Sequence, residues 1–587
     1  MSHVNPAATS SSLYEGVQGL LKVHAERIPA AVAVAAPGRV PLTYGTFWSH
    51  LETVARDLRA LGVSRYDRVA MVLPQGPDLA TAFVSVCACA TAAPLNPGYR
   101  ASEFEFYLAA LQAKALLIHA QVDSPARAVA RARGIPVIEL SPTLDAAAGI
   151  FTLAGARQGD TADDGFARSG DVALVLHTSG TTSRPKGVPL THANLRASAQ
   201  NISATLSLTE RDRCLNLMPL FHIHGLVGGT LASIAAGSSL VCPPGFYAPQ
   251  FLDWLDEFKP TWYTAVPAMH QAILKRARAR TDFDARSLRL IRSSSASLPT
   301  RVMIELEDLF QVPVIEAYGM TEASHQIASN PLPPQAHKAG SVGRPTGTEL
   351  AIMDEAGDLL PPGRIGEIVT RGANVMAGYE DDPTGSREVF THGWFRTGDQ
   401  GYQDEEGYFF ITGRLKEMIN RAGEKISPRE VDDVLMSHPA VAQAVTFAVP
   451  HPILGEDVAA AVVLQEKVSA AEGEIQRFAA RQLADFKVPR TIVIVDKIPE
   501  TPTGKLRRVD LAETLGVKTF GPTGSHARAD FEPPRTEIEK KLVAIWSEVL
   551  GVDPVGIRDN FYALGGDSIL AAQIIARVRE RMHVDLS

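Results

Sequence analysis

A chain of 587 residues is too long for one core, and three or four domains are expected. Hydrophobic residues at 45% and charged residues at 21% describe a soluble globular protein, and a net charge of −8 argues against nucleic acid as the main partner. Cys87, Cys89, Cys214 and Cys242 make neither a disulfide framework nor a zinc pattern, and their scarcity fits a reducing, cytoplasmic setting.

The opening MSHVNPAATSSS lacks a basic n-region and an apolar core, so no signal peptide is expected and residues 1–12 read as disordered. From Leu13 to about Gly170, helical patterns such as Phe47–Leu61 alternate with apolar runs such as Val69–Leu73 and Ala115–His119. That alternation predicts α/β layering around a mostly parallel sheet. Ala154–Ser169 is a polar connection, and Val172–Leu176 reads as a buried strand that ends in a loop. The loop lies within Leu176–Gly187, LHTSGTTSRPKG. Its hydroxyls, loose N–H groups and glycines suit a polyphosphate, and Lys186 adds a positive charge. The GxxxxGK[ST] pattern of kinases and GTPases is absent.

Cys214–Phe251 carries no Asp, Glu, Lys or Arg, yet Pro219, His222, His224, Gly225, Gly228, Gly229 and Gly237 interrupt it. A spanning helix seldom combines these, so the segment reads as strand, loop and buried helix, with no membrane span. Ser239–Cys242 and Leu288–Ile291 are further strand candidates, and the glycine-rich Gly340–Tyr408 reads as a small β-rich subdomain. Residues 415–512 form a compact α+β unit, and Phe520–Pro534 is a linker. Thr536–Gly551 is a helix with a Thr536/Glu539 capping box, with Ile538, Leu542, Val543, Trp546, Val549 and Leu550 on one face. No internal repeat is visible.

The Leu176–Gly187 loop resembles the phosphate loop of the adenylate-forming superfamily, which includes acyl-CoA ligases, luciferases and the adenylation domains of nonribosomal peptide synthetases. The resemblance implies that Thr178, Ser179, Gly180, Thr181, Thr182 and Lys186 meet the nucleotide. Further motifs follow in family order. In EAYGMTE, Glu316, Ala317, Tyr318 and Gly319 would line the nucleotide, with Tyr318 stacked on the base. Thr321 would bond the α-phosphate and Glu322 would hold Mg²⁺. Ser293–Ser297 matches the segment that lines the adenine and acyl pocket, with Ser295 and Ala296 toward the nucleotide. Asp399 in GWFRTGDQG and Arg414 would grip the ribose. Lys416 matches the hinge, NRAGEKISPREV (Asn420–Val431) the thiol tunnel, and Lys505 in PETPTGKLRR the mobile lysine that reaches the α-phosphate. Lys505, Thr321, Glu322 and His222 are thus the expected catalytic residues.

In MPLFHIHG (Met218–Gly225), His222 and His224 stand where amino-acid-activating domains usually have an aspartate, so an α-amino acid substrate is not expected. WYTAVPAMHQAIL, RSSSASL, EAYGMTEASHQIASNPLPP and NRAGEKISPREVD are similar to oxalate–CoA ligases across most of residues 13–512. That likeness implies a small dicarboxylate or α-keto acid, bound by His222, His224, Ser293, Ser295 and His325.

The chain then departs from that family. DNFYALGGDSILAAQIIARVR (Asp559–Arg579) resembles the carrier-protein motif for phosphopantetheine attachment, which puts the arm on Ser568. A four-helix carrier would not be complete by Ser587, which suggests a longer assembly line with a downstream module.

The expected fold is α/β: a large N-terminal domain of layered α/β subdomains with a small β subdomain (13–414), an α+β lid (415–512), a linker (513–533) and a partial all-α carrier (534–587). The expected activity is that of an AMP-forming acid–thiol ligase, nonribosomal peptide synthetase-like, that uses ATP, Mg²⁺ and phosphopantetheine. A phosphopantetheinyl transferase would prime it. The alternatives are a free acyl-CoA ligase that uses CoA, and a non-catalytic binding module.

Overall fold

The computed structural model describes residues 15–156, 165–178, 185–280, 282–380, 382–421, 424–451, 454–499, 508, 511–517, 531–550, 552–559, 561, 564 and 568–582. The expectations for residues 1–12, for Ser179, Gly180, Thr181 and Thr182, for Lys505 and for the Gly565–Asp567 approach to Ser568 lie outside them. The described residues form two compact units. One runs to Thr397 and includes Gly401–Ile411; the other comprises Gly398–Gln400 and the residues from Thr412 on.

In the first unit one sheet has the strand order Phe151–Ala154, Val137–Pro142, Ala115–His119, Arg68–Val72, Thr91–Pro94, Val172–Thr178, Lys186–Thr191. Its central strands are apolar on both faces because helices cover both, as a parallel sheet requires. Helix Tyr44–Ala60 is one of these covers. Thr43 accepts from Thr46 N at its start, and Phe47, Leu51, Val54 and Leu58 are buried.

A second sheet has the order Arg344–Pro345, His325–Ser329, Val314–Met320, Leu290–Ser293, Trp262–Ala265, Arg213–Asn216, Ser239–Val241, Val32–Ala35, Leu42–Thr43. The strands Arg213–Asn216, Trp262–Ala265, Leu290–Ser293 and Val314–Met320 run parallel, and the register pairs Ala265 with Ser293 and Ser293 with Glu316. Their carboxyl ends therefore share one edge, the place where open α/β sheets bind ligands. The strand expected at Leu288–Ile291 begins two residues later, because Leu288 N closes a turn on Ala285 O. A smaller β region contains Glu349–Met353, Leu359–Leu360 and Gly366–Arg371.

The charge-free segment contains the expected strand, loop and helix, but the helix winds differently. His224–Leu231 (HGLVGGTL) is a π-helix that continues as the α-helix Ala232–Ala236. Its glycines make room for close neighbours. A Cβ on Gly225 would lie 2.5 Å from Pro219 O, one on Gly228 2.6 Å from His325 Nε2, and one on Gly229 2.5 Å from Asn216 Nδ2. Single π turns occur frequently at functional sites. Among the described residues no helix is long and apolar enough to cross a membrane.

In the second unit, strands Glu424–Ile426, Ile419–Arg421, Gly455–Leu464 and Val441–His451 make a sheet with Thr491–Ile494 beside Gly455–Leu464. Helices Pro428–Met436 and Glu472–Ala479 contribute Val431, Leu435, Ile475 and Ala479 to its core. Arg508 is tied down by Asp432 at 2.7 Å and Glu417 at 3.1 Å.

Farther along, helix Glu537–Leu550 starts at the expected box: Glu539 N donates to Thr536 Oγ1 at 3.1 Å and Thr536 N to Glu539 Oε2 at 2.8 Å. Ile538, expected on the apolar face, is 62% exposed. The cluster with Ile574 and Val578 starts a turn later, at Leu542, and Ile545 fills it instead.

Candidate active site

The carboxyl edge of the second sheet gathers a polar cluster under the π-helix. Arg292, on strand Leu290–Ser293, is fully buried. Its guanidinium donates to His325 Nε2 at 3.0 Å, His224 Nε2 at 3.2 Å, Gln326 Oε1 at 2.9 Å and Thr264 Oγ1 at 3.3 Å. The two imidazoles stack with centroids 4.7 Å apart and planes 23° from parallel. His224 Nδ1 lies 2.9 Å from Ser295 Oγ, and Ser295, Ala296 and Ser297 are exposed at the edge. Burial drives both histidines well below the ordinary imidazole range; the neighbouring His325 and the guanidinium add to this at His224, and the guanidinium at His325. Ser295, Ser324 and His325 all have positive φ, at 72°, 52° and 97°. Such non-glycine strain concentrates at functional sites.

The structure thus brings His224, Ser295 and His325 together. Ser293 Oγ is buried at the end of the same strand and has no hydrogen-bond partner among the described residues. His222 precedes the π-helix, its ring 4.6 Å from that of Phe221, and lies close enough to oppose protonation of His224.

Residues expected to meet the nucleotide sit along Val314–Met320 and the 3₁₀ turn Thr321–Ala323. Glu316 Oε1 accepts from Leu298 N at 3.0 Å, and Ala317 O from Ser294 Oγ at 2.9 Å. Both bonds fix the Ser293–Ser297 loop against the strand that carries Tyr318. Only glycine fits at 319, where a Cβ would lie 1.3 Å from His325 O. Glu322, 7% exposed, accepts from Tyr379 O–H at 3.0 Å. Thr178 ends its strand opposite Lys186 in the register. Lys186 Nζ lies 2.8 Å from Asp382 Oδ2 and 4.7 Å from the Tyr379 ring centroid. In the second unit Arg414 Nε donates to Asp399 Oδ1 at 2.7 Å, and Lys416 sits in the 3₁₀ turn Leu415–Glu417.

Arg292, Thr264, Gln326, Tyr379 and Asp382 have no role in the sequence reading above. An arginine inside an apolar strand core was a usable signal for the first; the others join through tertiary contacts that spacing does not encode. Among the described residues no group of three carboxylate, imidazole or thiol side chains could cage a metal. Mg²⁺ needs no cage, since one or two carboxylates and substrate phosphates commonly suffice, and the buried Glu322 fits that role.

Residues 21–380 match the AMP-binding enzyme family, residues 430–505 the AMP-binding enzyme C-terminal domain, and residues 540–587 the phosphopantetheine attachment site. The chain is 43% identical over 505 residues to the oxalate–CoA ligase of Arabidopsis thaliana, covering 85% of this chain and 98% of that one. It is 34% identical to the sulfoacetate–CoA ligase of Cupriavidus necator over 512 residues, 86% of this chain and 99% of that one. Among solved structures, o-succinylbenzoate coenzyme A synthetase of Bacillus subtilis, in complex with ATP and magnesium ion, is similar at a TM-score of 0.72. Its sequence identity is 28%, over 84% of this chain and 98% of that one. Each ligase is almost entirely matched by about 85% of this chain, so the phosphopantetheine segment is an addition to them.

Proposed function

The chain belongs to the AMP-binding enzymes, the AMP-forming acid–thiol ligases, and carries a phosphopantetheine attachment domain; from that premise we propose that it activates a small non-amino acid and loads it onto its own carrier. The acid is a dicarboxylate or α-keto acid, and the first product is its acyl-AMP. The observation that carries this reading is the attachment segment on the same chain as a full-length ligase.

A carboxylate is a poor electrophile because its leaving group is poor, and attack of its oxygen on the α-phosphorus of ATP, with pyrophosphate leaving, corrects that. Two anions must meet, so the residues around them have to supply positive charge and donors. The Thr321 hydroxyl would donate to the α-phosphate. Lys186 exchanges Asp382 for phosphate oxygens, and Lys505 neutralises the attacking carboxylate and the α-phosphate. Glu322 holds Mg²⁺, which supplies charge neutralisation when bound. Asp399 and Arg414 hold the ribose, and Tyr318 stacks on the base. His224, Ser295, Ser293 and His325 orient the acid, with His222 at the rim. AMP is the leaving group on transfer to a thiol. Phosphopantetheine, once attached by a phosphopantetheinyl transferase at Ser568, the first residue of helix Ser568–Met582, supplies that thiol.

Intact-mass analysis of the pantetheinylated protein with ATP and oxalate is expected to show an acyl adduct that Ser568→Ala abolishes. The named relatives favour one alternative, a free CoA ligase. Acyl-CoA formed at equal rates by Ser568→Ala, with no adduct on the carrier, would establish it.

A further inference from the structure

On the proposed acyl side lies a buried charge that no carboxylate among the described residues balances. Arg292 is fully buried, and among the described residues none of its contacts is an ion pair. Burial lowers its pKa only to about 10, so the guanidinium is charged at neutral pH. Leaving such a charge uncompensated is costly, and evolution usually pairs or removes it.

The hydrogen bonds say how that charge is used. A guanidinium has donors and no acceptor. Nε2 of His325 therefore accepts from it, and at His224 the Thr264 hydroxyl, which accepts from the same guanidinium, lies 2.6 Å from Nε2 and donates to it, so that the single proton of each ring sits on Nδ1. His224 Nδ1–H then donates to Ser295 Oγ, whose residue is exposed at the sheet edge, so the Ser295 O–H is left to donate onward. Among the described residues no hydrogen bond takes up Nδ1 of His325. The orientation of Gln326 agrees: its Nε2 donates to Thr346 Oγ1 at 3.1 Å and Thr205 Oγ1 at 3.3 Å, which turns its oxygen to the arginine.

We propose that Arg292 is a positioning residue that fixes His224 and His325 as neutral Nδ1–H donors backed by a positive charge, so that the pocket selects a short acid with a second anionic group. This deepens the acid class proposed above and rests on it. The second anion completes the charge balance from the front, through Ser295 and His325, while Arg292 stays behind the rings. A neutral alkyl or aryl group in its place would leave donors and charge unanswered.

The test is acid-dependent pyrophosphate release by the full chain with oxalate and, separately, with acetate. Arg292→Met is expected to lower the oxalate-to-acetate ratio of kcat/KM by about 30-fold, chiefly through the KM for oxalate, the size expected when charge-assisted recognition is lost. Equal losses with both acids, or an unchanged ratio, would overturn the proposal. A second pair of variants keeps it testable should Arg292→Met fail to fold. His224→Asn, whose amide nitrogen falls near Nδ1, is expected to retain more oxalate turnover than His224→Gln, whose nitrogen falls near Nε2; the reverse order overturns the tautomer assignment. A wild-type protein that prefers acetate refutes this inference alone, and one that releases pyrophosphate with no short acid refutes the functional reading as well.

Discussion

Two cations in the first unit wait for anions in opposite ways. Lys186, on the nucleotide side, is partly exposed and already has a carboxylate, Asp382, at 2.8 Å. Water screens the pair, and arrival of a phosphate merely exchanges one partner for another. Arg292, on the acyl side, is sealed from water and has imidazoles, a hydroxyl and an amide around it in place of a carboxylate. On the proposed reading the Lys186 side rests in balance, whereas the Arg292 side would be balanced by the acid. If so, discrimination between acids belongs to the Arg292 side, and the Lys186 side would supply a charge exchange common to any acid.

Acidification should strain the first unit most. Burial holds His50, His177 and His192 down to about 4 and His270 to about 3, and holds His224 and His325 well below the ordinary value. A histidine with a depressed folded pKa takes up its proton more readily when unfolded. The stability it permits is complete above about 6.5 and is lost as pH falls toward the folded value, by about 1.4 kcal/mol per pH unit for each such ring. Urea unfolding at pH 7.5 and 5.5 is expected to show this loss, and Arg292→Met should reduce it, since the guanidinium is one of the groups that oppose protonation of His224 and His325. Glu322→Ala, which removes the carboxylate proposed to hold Mg²⁺, should lower adenylate formation by about 10²–10³-fold with any acid. An acid-selective loss would blur the contrast between the two sides.

Smaller effects sharpen it. Gly228→Ala puts a methyl 2.6 Å from His325 Nε2 and should cost about 1–3 kcal/mol of stability, with a raised KM for the acid and little change in that for ATP. Lys186→Met should raise the KM for ATP by about tenfold, the loss of one screened charge contact, without altering the order of preference among acids. Asp382→Asn frees Lys186 from its resting partner and should lower the KM for ATP by about two- to threefold.

Much of this was legible in the residues. The apolar run Ala115–His119 is the strand itself, and the box at Thr536 and Glu539 starts its helix with the reciprocal bonds that spacing implies. Periodicity failed where tertiary packing decides. The π winding of the HGLVGGTL run is not legible in its pattern, and the close neighbours of its glycines, His325, Asn216 and Pro219, come from across the fold. Ile538 matches the apolar face but lies one turn outside the cluster that would cover it. In the site, His224, Ser295 and His325 were recognisable from their motifs. Arg292 stands beside them in the sequence, but its meaning depends on there being no carboxylate around it among the described residues, which a linear pattern does not display.

The most direct measurement is AMP and pyrophosphate production by the purified chain with ATP, Mg²⁺ and a panel of short acids matched in size. Turnover is expected with acids that carry a second anionic group, oxalate first, and far less with acetate or propionate. Turnover that is indifferent to the second anion, or none with any acid in the panel, would contradict this expectation.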